Sequence, residues 1–198
     1  MKTQTATVFL AAGLLSACSA PVPPQTPTAP SASASAVQAI DADCPSGTVE
    51  WGKVSSRPVI VAISEKYRAP AGNFMRIPLK TVAEVRTSFT ADRVVGRMAP
   101  DLLRSFSRKT GDELGAMETA YTDFDTVDEF SPNGEVTGVS YEGVRVYTGD
   151  FTYRCAGGSP VAHGRLSAWG TGLRGSVSCN PKLKQPLSAA LARRMRCG

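Results

Sequence analysis

Asp123, Asp125, Asp128 and Glu129 fall within seven residues of chain, a density of carboxylates that could bind calcium or supply an acid and base pair. Their spacing argues against a calcium loop of the helical-hand type. Counted from Asp123, such a loop needs an oxygen ligand at the fifth position and glycine at the sixth, where Val127 and Asp128 stand. The interleaved Phe124, Val127 and Phe130 predict instead an edge strand or loop whose acids face water. The only histidine, His163, is flanked by Val161, Ala162, Gly164 and Leu166, which place it inside a strand rather than on a loop with room for substrate. No Gly-x-Ser-x-Gly elbow accompanies it, so it reads as a sheet-surface residue. A lone histidine and the absence of Cys-x-x-Cys leave no zinc site. Gly157-Gly158 and Gly170-Thr171-Gly172 lack the lysine, hydroxyl or helix that a phosphate cradle requires, and no aromatic interleaving suits nucleic acid. The expectation is therefore no metal, no cofactor and no catalytic residue.

Chemistry of a different kind is suggested at the N-terminus. Lys2 precedes the apolar run Val8–Leu15, which is too short to cross a bilayer about 30 Å thick and reads as a secretory signal over residues 1–17. Leu15-Ser16-Ala17-Cys18 resembles the lipobox of bacterial lipoprotein precursors. That resemblance implies that the Cys18 thiol receives a diacylglycerol, that the chain is cut before it, and that acyl chains hold the protein at the outer face of the cytoplasmic membrane. The competing reading, ordinary secretion with cleavage after Ala20, puts Pro21 directly after the cut. Residues 18–40 then form a linker rich in Ser, Ala and Pro, with Pro21, Pro23, Pro24, Pro27 and Pro30 favouring extended polyproline II.

Residues 41–198 are the right size for one globular domain with its own core. Setting Cys18 aside leaves Cys44, Cys155, Cys179 and Cys197, an even number that outside the cell implies disulfides. Four cysteines allow three pairings and the sequence does not choose among them. A short helix folding back between Cys179 and Cys197 would favour that pair and leave Cys44 with Cys155.

The net charge of +5 conceals a sorting of charge along the chain. Between Thr110 and Val144 there are nine acids (Asp112, Glu113, Glu118, Asp123, Asp125, Asp128, Glu129, Glu135 and Glu142) and no Lys or Arg. After Asp150 the chain carries Arg154, Arg165, Arg174, Lys182, Lys184, Arg193, Arg194 and Arg196 and no acid at all. Either the two segments lie together and neutralise each other, or the second forms a basic face for an anionic partner such as an envelope polymer or lipid headgroups.

Alternating apolar residues bounded by Gly, Pro and Asn predict an α+β, sheet-rich domain: an antiparallel sheet or a small sandwich or barrel with two short helices. Strands are expected at 48–54, 59–64, 81–90, 144–155, 161–169 and 173–179, the last three as a meander turning at 156–160 and 170–172. Ser131-Pro132-Asn133-Gly134 has turn chemistry. Helices are expected at about 100–110, burying Leu102, Leu103 and Phe106 and stopping at Gly111, and at about 186–196, packing through Leu187, Leu191 and Met195.

Three further resemblances concern the domain. Lys109-Thr110-Gly111 and Ser178-Cys179-Asn180 are similar to elements of serine penicillin-binding proteins, but their order is reversed and no Ser-x-x-Lys precedes them. The stretches Cys44–Gly52, Gly164–Trp169 and Gly175–Cys179 resemble uncharacterised secreted proteins of actinomycete type, which implies a Gram-positive surface protein and no activity. Tyr153-Arg154-Cys155 with Gly157-Gly158 is similar to a stretch of lipid-anchored lysozyme inhibitors, which are small barrels. Together these lead to a lipid-anchored, non-enzymatic binding or envelope-associated module. The alternatives are a surface hydrolase using Asp125 and Asp128, or an inhibitor of a basic hydrolase such as lysozyme acting through residues 112–135.

Overall fold

Stretches rich in β-branched and aromatic residues, broken by few prolines, pair over unusual lengths in this chain. The structure, a computed structural model, describes Cys44 and residues 46–198. The signal peptide, Cys18 and the whole of the linker at 18–40 lie outside the described residues. In chain order the elements are β1 (Gly47–Ile63), β2 (Tyr67–Ala69), β3 (Met75–Pro78), β4 (Lys80–Thr81), β5 (Ser88–Ala91), α1 (Met98–Thr110), β6 (Val127–Phe130), β7 (Val136–Cys155), β8 (Val161–Ser178) and α2 (Leu187–Arg196). One antiparallel sheet has the order β4-β1-β7-β8-β5, with β2 continuing on β7 beyond the end of β1, and β3 pairs with β6 in a separate two-stranded ribbon. The domain is thus α+β and sheet-rich, with an open sheet.

Two expected breaks are absent. The segments 48–54 and 59–64 form the single strand β1, which runs straight through Pro58. Proline is tolerated there because β4 pairs only with Ala62 and Ile63, so the preceding part of β1 is an edge whose outward amides need no ladder partner. A register shift between Trp51 and Val54, together with Lys53 and Arg57, protects that edge from pairing with another strand. Likewise Gly170-Thr171-Gly172 is not a turn but part of β8, so the expected meander is a single hairpin of β7 and β8. The turn at residues 131–134 does separate β6 from β7.

The segment from Thr81 to Thr90 keeps its alternation without being a strand throughout. Val85 and Thr87 are buried while Glu84 and Arg86 are exposed. Only its ends join the sheet, as β4 and β5. Its middle bonds to residues 118–121 instead, with Thr87 N to Thr119 O at 3.1 Å and Tyr121 N to Val85 O at 2.8 Å.

α1 begins at Met98 and ends at Gly111, which adopts the left-handed conformation (φ 71°) and donates to Ser107 O at 2.9 Å. Met98, Leu102 and Phe106 are buried against Phe151, Tyr153, Ala162, Leu166 and Ala168, and Trp51 lies with its ring centre 4.3 Å from that of Phe106. Leu103 is only half-buried. The Tyr153 hydroxyl donates to Asp101 at 2.9 Å, and burial together with that carboxylate pushes the phenol up to about 12. Gly47 is needed beside it, because a Cβ there would fall 2.2 Å from the Tyr153 ring. α2 corrects an expectation. It buries Ala189 and Ala192 against Ile60, Ile63, Val139, Tyr141 and Val177, and leaves Leu187 and Met195 exposed. Two small residues allow close approach to the sheet, and the wide apolar face supposed from Leu187, Leu191 and Met195 points mostly the other way.

Both helices cover the same face of β7, that of its odd-numbered residues: Tyr147, Phe151, Tyr153 and Cys155 under α1, Val139 and Tyr141 under α2. On β8 the inward parity changes, from Ala162, Leu166 and Ala168 to Val177. The change occurs at the register shift between Val144 and Val146, which pair with Gly172 and Trp169 and so leave one extra residue in β8. Asp112, just past α1, holds this bulge. It accepts from Thr171 N at 3.0 Å, from the Thr171 hydroxyl, and from the Tyr147 hydroxyl at 2.9 Å. Burial works against the Asp112 carboxylate, but these donors outweigh it and hold its pKa below the ordinary range. A depressed folded pKa means stability that is present above the unfolded value and lost as pH falls through the folded one. Asp112→Ala is expected to cost about 1.5–3 kcal/mol in urea unfolding at pH 7. The loss should shrink as both forms are titrated into the acid range, and a pH-independent loss would remove the charge from this account.

Candidate functional site

Glu142 on β7 and Arg174 on β8 are directly paired in register, and the acidic segment before β6 folds over them. Arg174 lies 2.7 Å from Asp125 Oδ2, 3.5 Å from Asp128 Oδ1 and 3.3 Å from Glu142 Oε1. Asp128 also accepts from the Ser176 hydroxyl at 3.0 Å, and Glu142 Oε2 accepts from Asp125 N at 3.0 Å. Glu142 Oε1 is buried without a hydrogen bond, so its contact with the guanidinium is one of charge alone. Burial raises the Glu142 pKa above the ordinary value, opposed by the Asp125 amide and by Arg174. Tyr121, Asp123 and Leu173 line the shallow hollow beside the group.

A carboxylic acid held above its usual pKa next to ionised neighbours is the raw material of acid and base chemistry. Here, though, the guanidinium lies among the carboxylates and binds all three. Glu129, the fourth acid of the run, pairs with Arg76 at 3.7 Å. Among the described residues no group of three or more His, Cys, Asp or Glu side chains is arranged to hold a metal ion. The carboxylates at Asp112, Asp125 and Asp128 all bond to β8, at Thr171, Arg174 and Ser176. Through these three carboxylates the acidic segment closes over β8, while Glu129 and Glu135 pair instead with Arg76 on β3 and Arg68 on β2.

Arg174 is the only one of the eight C-terminal cations to pair with an acid of the 110–144 segment among the described residues. Arg165 forms a double hydrogen bond with Asp150 at 2.7 and 3.1 Å, and Arg154 lies 3.8 Å from Glu50, both on the exposed sheet face. His163 is on that face too, with Nδ1 3.1 Å from the Thr152 hydroxyl, while Asp92 takes its backbone amide rather than its ring. Arg196 reaches Glu65 at 3.9 Å, and Arg193 donates to the carbonyls of Asn180 and Leu183, both at 3.2 Å. Lys182, Lys184 and Arg194 have no acid within ion-pair distance among the described residues. Beside them stand the most exposed large apolar side chains of the C-terminal region: Leu187 at 65%, Leu183 at 48% and Met195 at 43%.

The cysteines pair as Cys44–Cys155 and Cys179–Cys197. The second disulfide closes the loop that holds α2, and of Ser178-Cys179-Asn180 the first residue ends β8 while Asn180 opens a turn in which its Oδ1 accepts from Lys182 N at 3.1 Å. No protein-family model, curated protein or solved structure matches this chain. Its surfaces are therefore read from their own atoms. Two feature sets were not drawn from the sequence. The Glu142–Arg174 pair had a signal, because Glu142 is the lone acid in the small and apolar run Val136–Val144. The exposure of Leu187 and Met195 had none, since it follows from how closely Ala189 and Ala192 approach the sheet.

Arg174→Ala is expected to destabilise the domain by about 1.5–3 kcal/mol at pH 7. Because a raised carboxylate pKa contributes stability that is lost as pH rises through the folded value, the deficit should shrink as pH falls through the raised Glu142 value and the carboxylate that Arg174 faces loses its charge. Urea unfolding across that pH range checks this, and Glu142→Gln should flatten the difference.

Proposed function

We propose that this chain is a lipid-anchored extracytoplasmic protein, tethered through acyl chains on Cys18 at the outer face of the cytoplasmic membrane, whose disulfide-linked domain is a non-enzymatic binding module. The observation that carries it is the cysteine count: the four cysteines of the domain pair with one another, leaving Cys18 as the only one available for another chemistry. The disulfides also suit an oxidising compartment outside the cytoplasm. More than one acyl chain gives stable anchoring where a single chain binds marginally. No helix among the described residues is long and apolar enough to cross a membrane, so the lipid supplies an attachment that these helices do not. The claim of Arg174 on both Asp125 and Asp128 weighs against a hydrolase built on them. The patch of unpaired cations and exposed apolar side chains around α2 is the surface assigned to binding.

Cys18→Ala is expected to move the protein from the membrane fraction to the medium after a high-salt wash, and mass spectrometry of the native N-terminal peptide should show a diacylglycerol-modified cysteine. Retention of the variant through the wash, with an unmodified native peptide, would sink the anchor.

A further inference from the structure

We infer that α2 and the segment before it form a docking face for an anionic phospholipid bilayer. The inference rests on the anchored-module reading for how the domain reaches a membrane, but not for how this face binds one.

The inner side of α2 is already committed, since Ala189 and Ala192 are buried on the sheet and Arg196 reaches Glu65. Its outer side carries Leu187, Arg194 and Met195, which fall on one face at helical spacing. Two constraints hold Lys182-Leu183-Lys184 near them: the Cys179–Cys197 disulfide, and the two hydrogen bonds from Arg193 to the carbonyls of Asn180 and Leu183. The result is a pre-shaped surface of three unpaired cations and three exposed apolar side chains. No acid follows Asp150 in the chain, and Glu65, near the buried side of α2, is engaged by Lys80 and Arg196.

Charge sign alone would suit any polyanion. The apolar half of the patch selects the bilayer, because an interface takes leucine and methionine into its acyl boundary while cations contact headgroups, whereas a wall polymer offers no apolar phase. The tether fits this orientation. Cys44 is bound to Cys155 at the end of β7, whereas α2 packs on Val139 and Tyr141 near its start. At about 3.3 Å per residue these points are separated by up to ~50 Å of strand. About 26 residues join Cys18 to Cys44, a reach of ~80 Å in polyproline II. An anchored domain can therefore lay α2 back on the membrane that holds it.

The test uses the full chain carrying Cys18→Ala, so acylation plays no part, and compares its sedimentation with phosphatidylcholine vesicles and with vesicles containing phosphatidylglycerol. Binding is expected only to the anionic vesicles and to fall with salt. Adding Lys182→Gln, Lys184→Gln and Arg194→Gln should lower the partition coefficient about 100-fold, at roughly fivefold per cation. Leu183→Ser with Leu187→Ser should lower it about tenfold or more at unchanged charge. Residues 1–17 are common to every chain compared, and unchanged thermal midpoints confirm that the variants fold, as these side chains are exposed. Equal binding to both vesicle types, or indifference to the cation substitutions, would overturn the proposal. So would binding to soluble poly(glycerol phosphate) as tight as to anionic vesicles and unaffected by the leucine substitutions, which would assign the face to a wall polymer. None of these outcomes bears on acylation of Cys18, which the membrane-release experiment decides separately.

Discussion

The pairing of β7 with β8, from Gly138↔Ser178 to Arg154↔Val161, carries one extra residue in β8 near Gly170 and Thr171, and the other packing choices follow from it. Because side chains alternate across a strand, a single inserted residue exchanges the two faces of β8 beyond it. That exchange lets Leu166 and Ala168 meet α1 while Val177 meets α2, so both helices lie on one face of the hairpin. It also points Arg174 and Ser176 to the opposite side, where Asp128 and Glu142 await them. Asp112 secures the bulge through Thr171. One local irregularity thus couples the end of α1, the cores beneath both helices and the half-buried ion pair of Glu142 and Arg174.

The sorted charges resolve along the same line. Asp112, Asp125 and Asp128 are used at short range on β8, and Arg174 is the cation that meets the last two. The other cations after Asp150 divide by where the chain places them. Arg154 and Arg165 lie on the open face of the sheet opposite acids of neighbouring strands, and Arg193 serves carbonyls of its own loop. Lys182, Lys184 and Arg194 fall beyond the sheet's own acids. Of the cations that follow Asp150, those without an acid partner among the described residues therefore lie at α2 and just before it, next to apolar side chains that the close seating of the helix leaves outside.

Much of the fold is legible in the residues. Gly111 stops α1 because only a residue without a Cβ adopts the left-handed conformation at no cost, and Val85 and Thr87 are buried because alternation marks an inward face even where the ladder lapses. The reading failed where local signals were overruled by position in the sheet. Pro58 looks like a break, but an edge strand can lack an outward amide. Gly170-Thr171-Gly172 looks like a turn, but a bulge needs the same small residues, and only the partner strand shows which is present.

What the sequence alone determined about this protein is its secondary-structure types, its sheet-rich class and the even set of four cysteines, because these depend on periodicity, capping and composition within short windows. The tertiary structure decided which cysteines join, which carboxylates meet Arg174 and which face of α2 stays in water. Those outcomes depend on register between distant strands and on the distance at which a helix seats on a sheet. Neither quantity is written in any single stretch of chain.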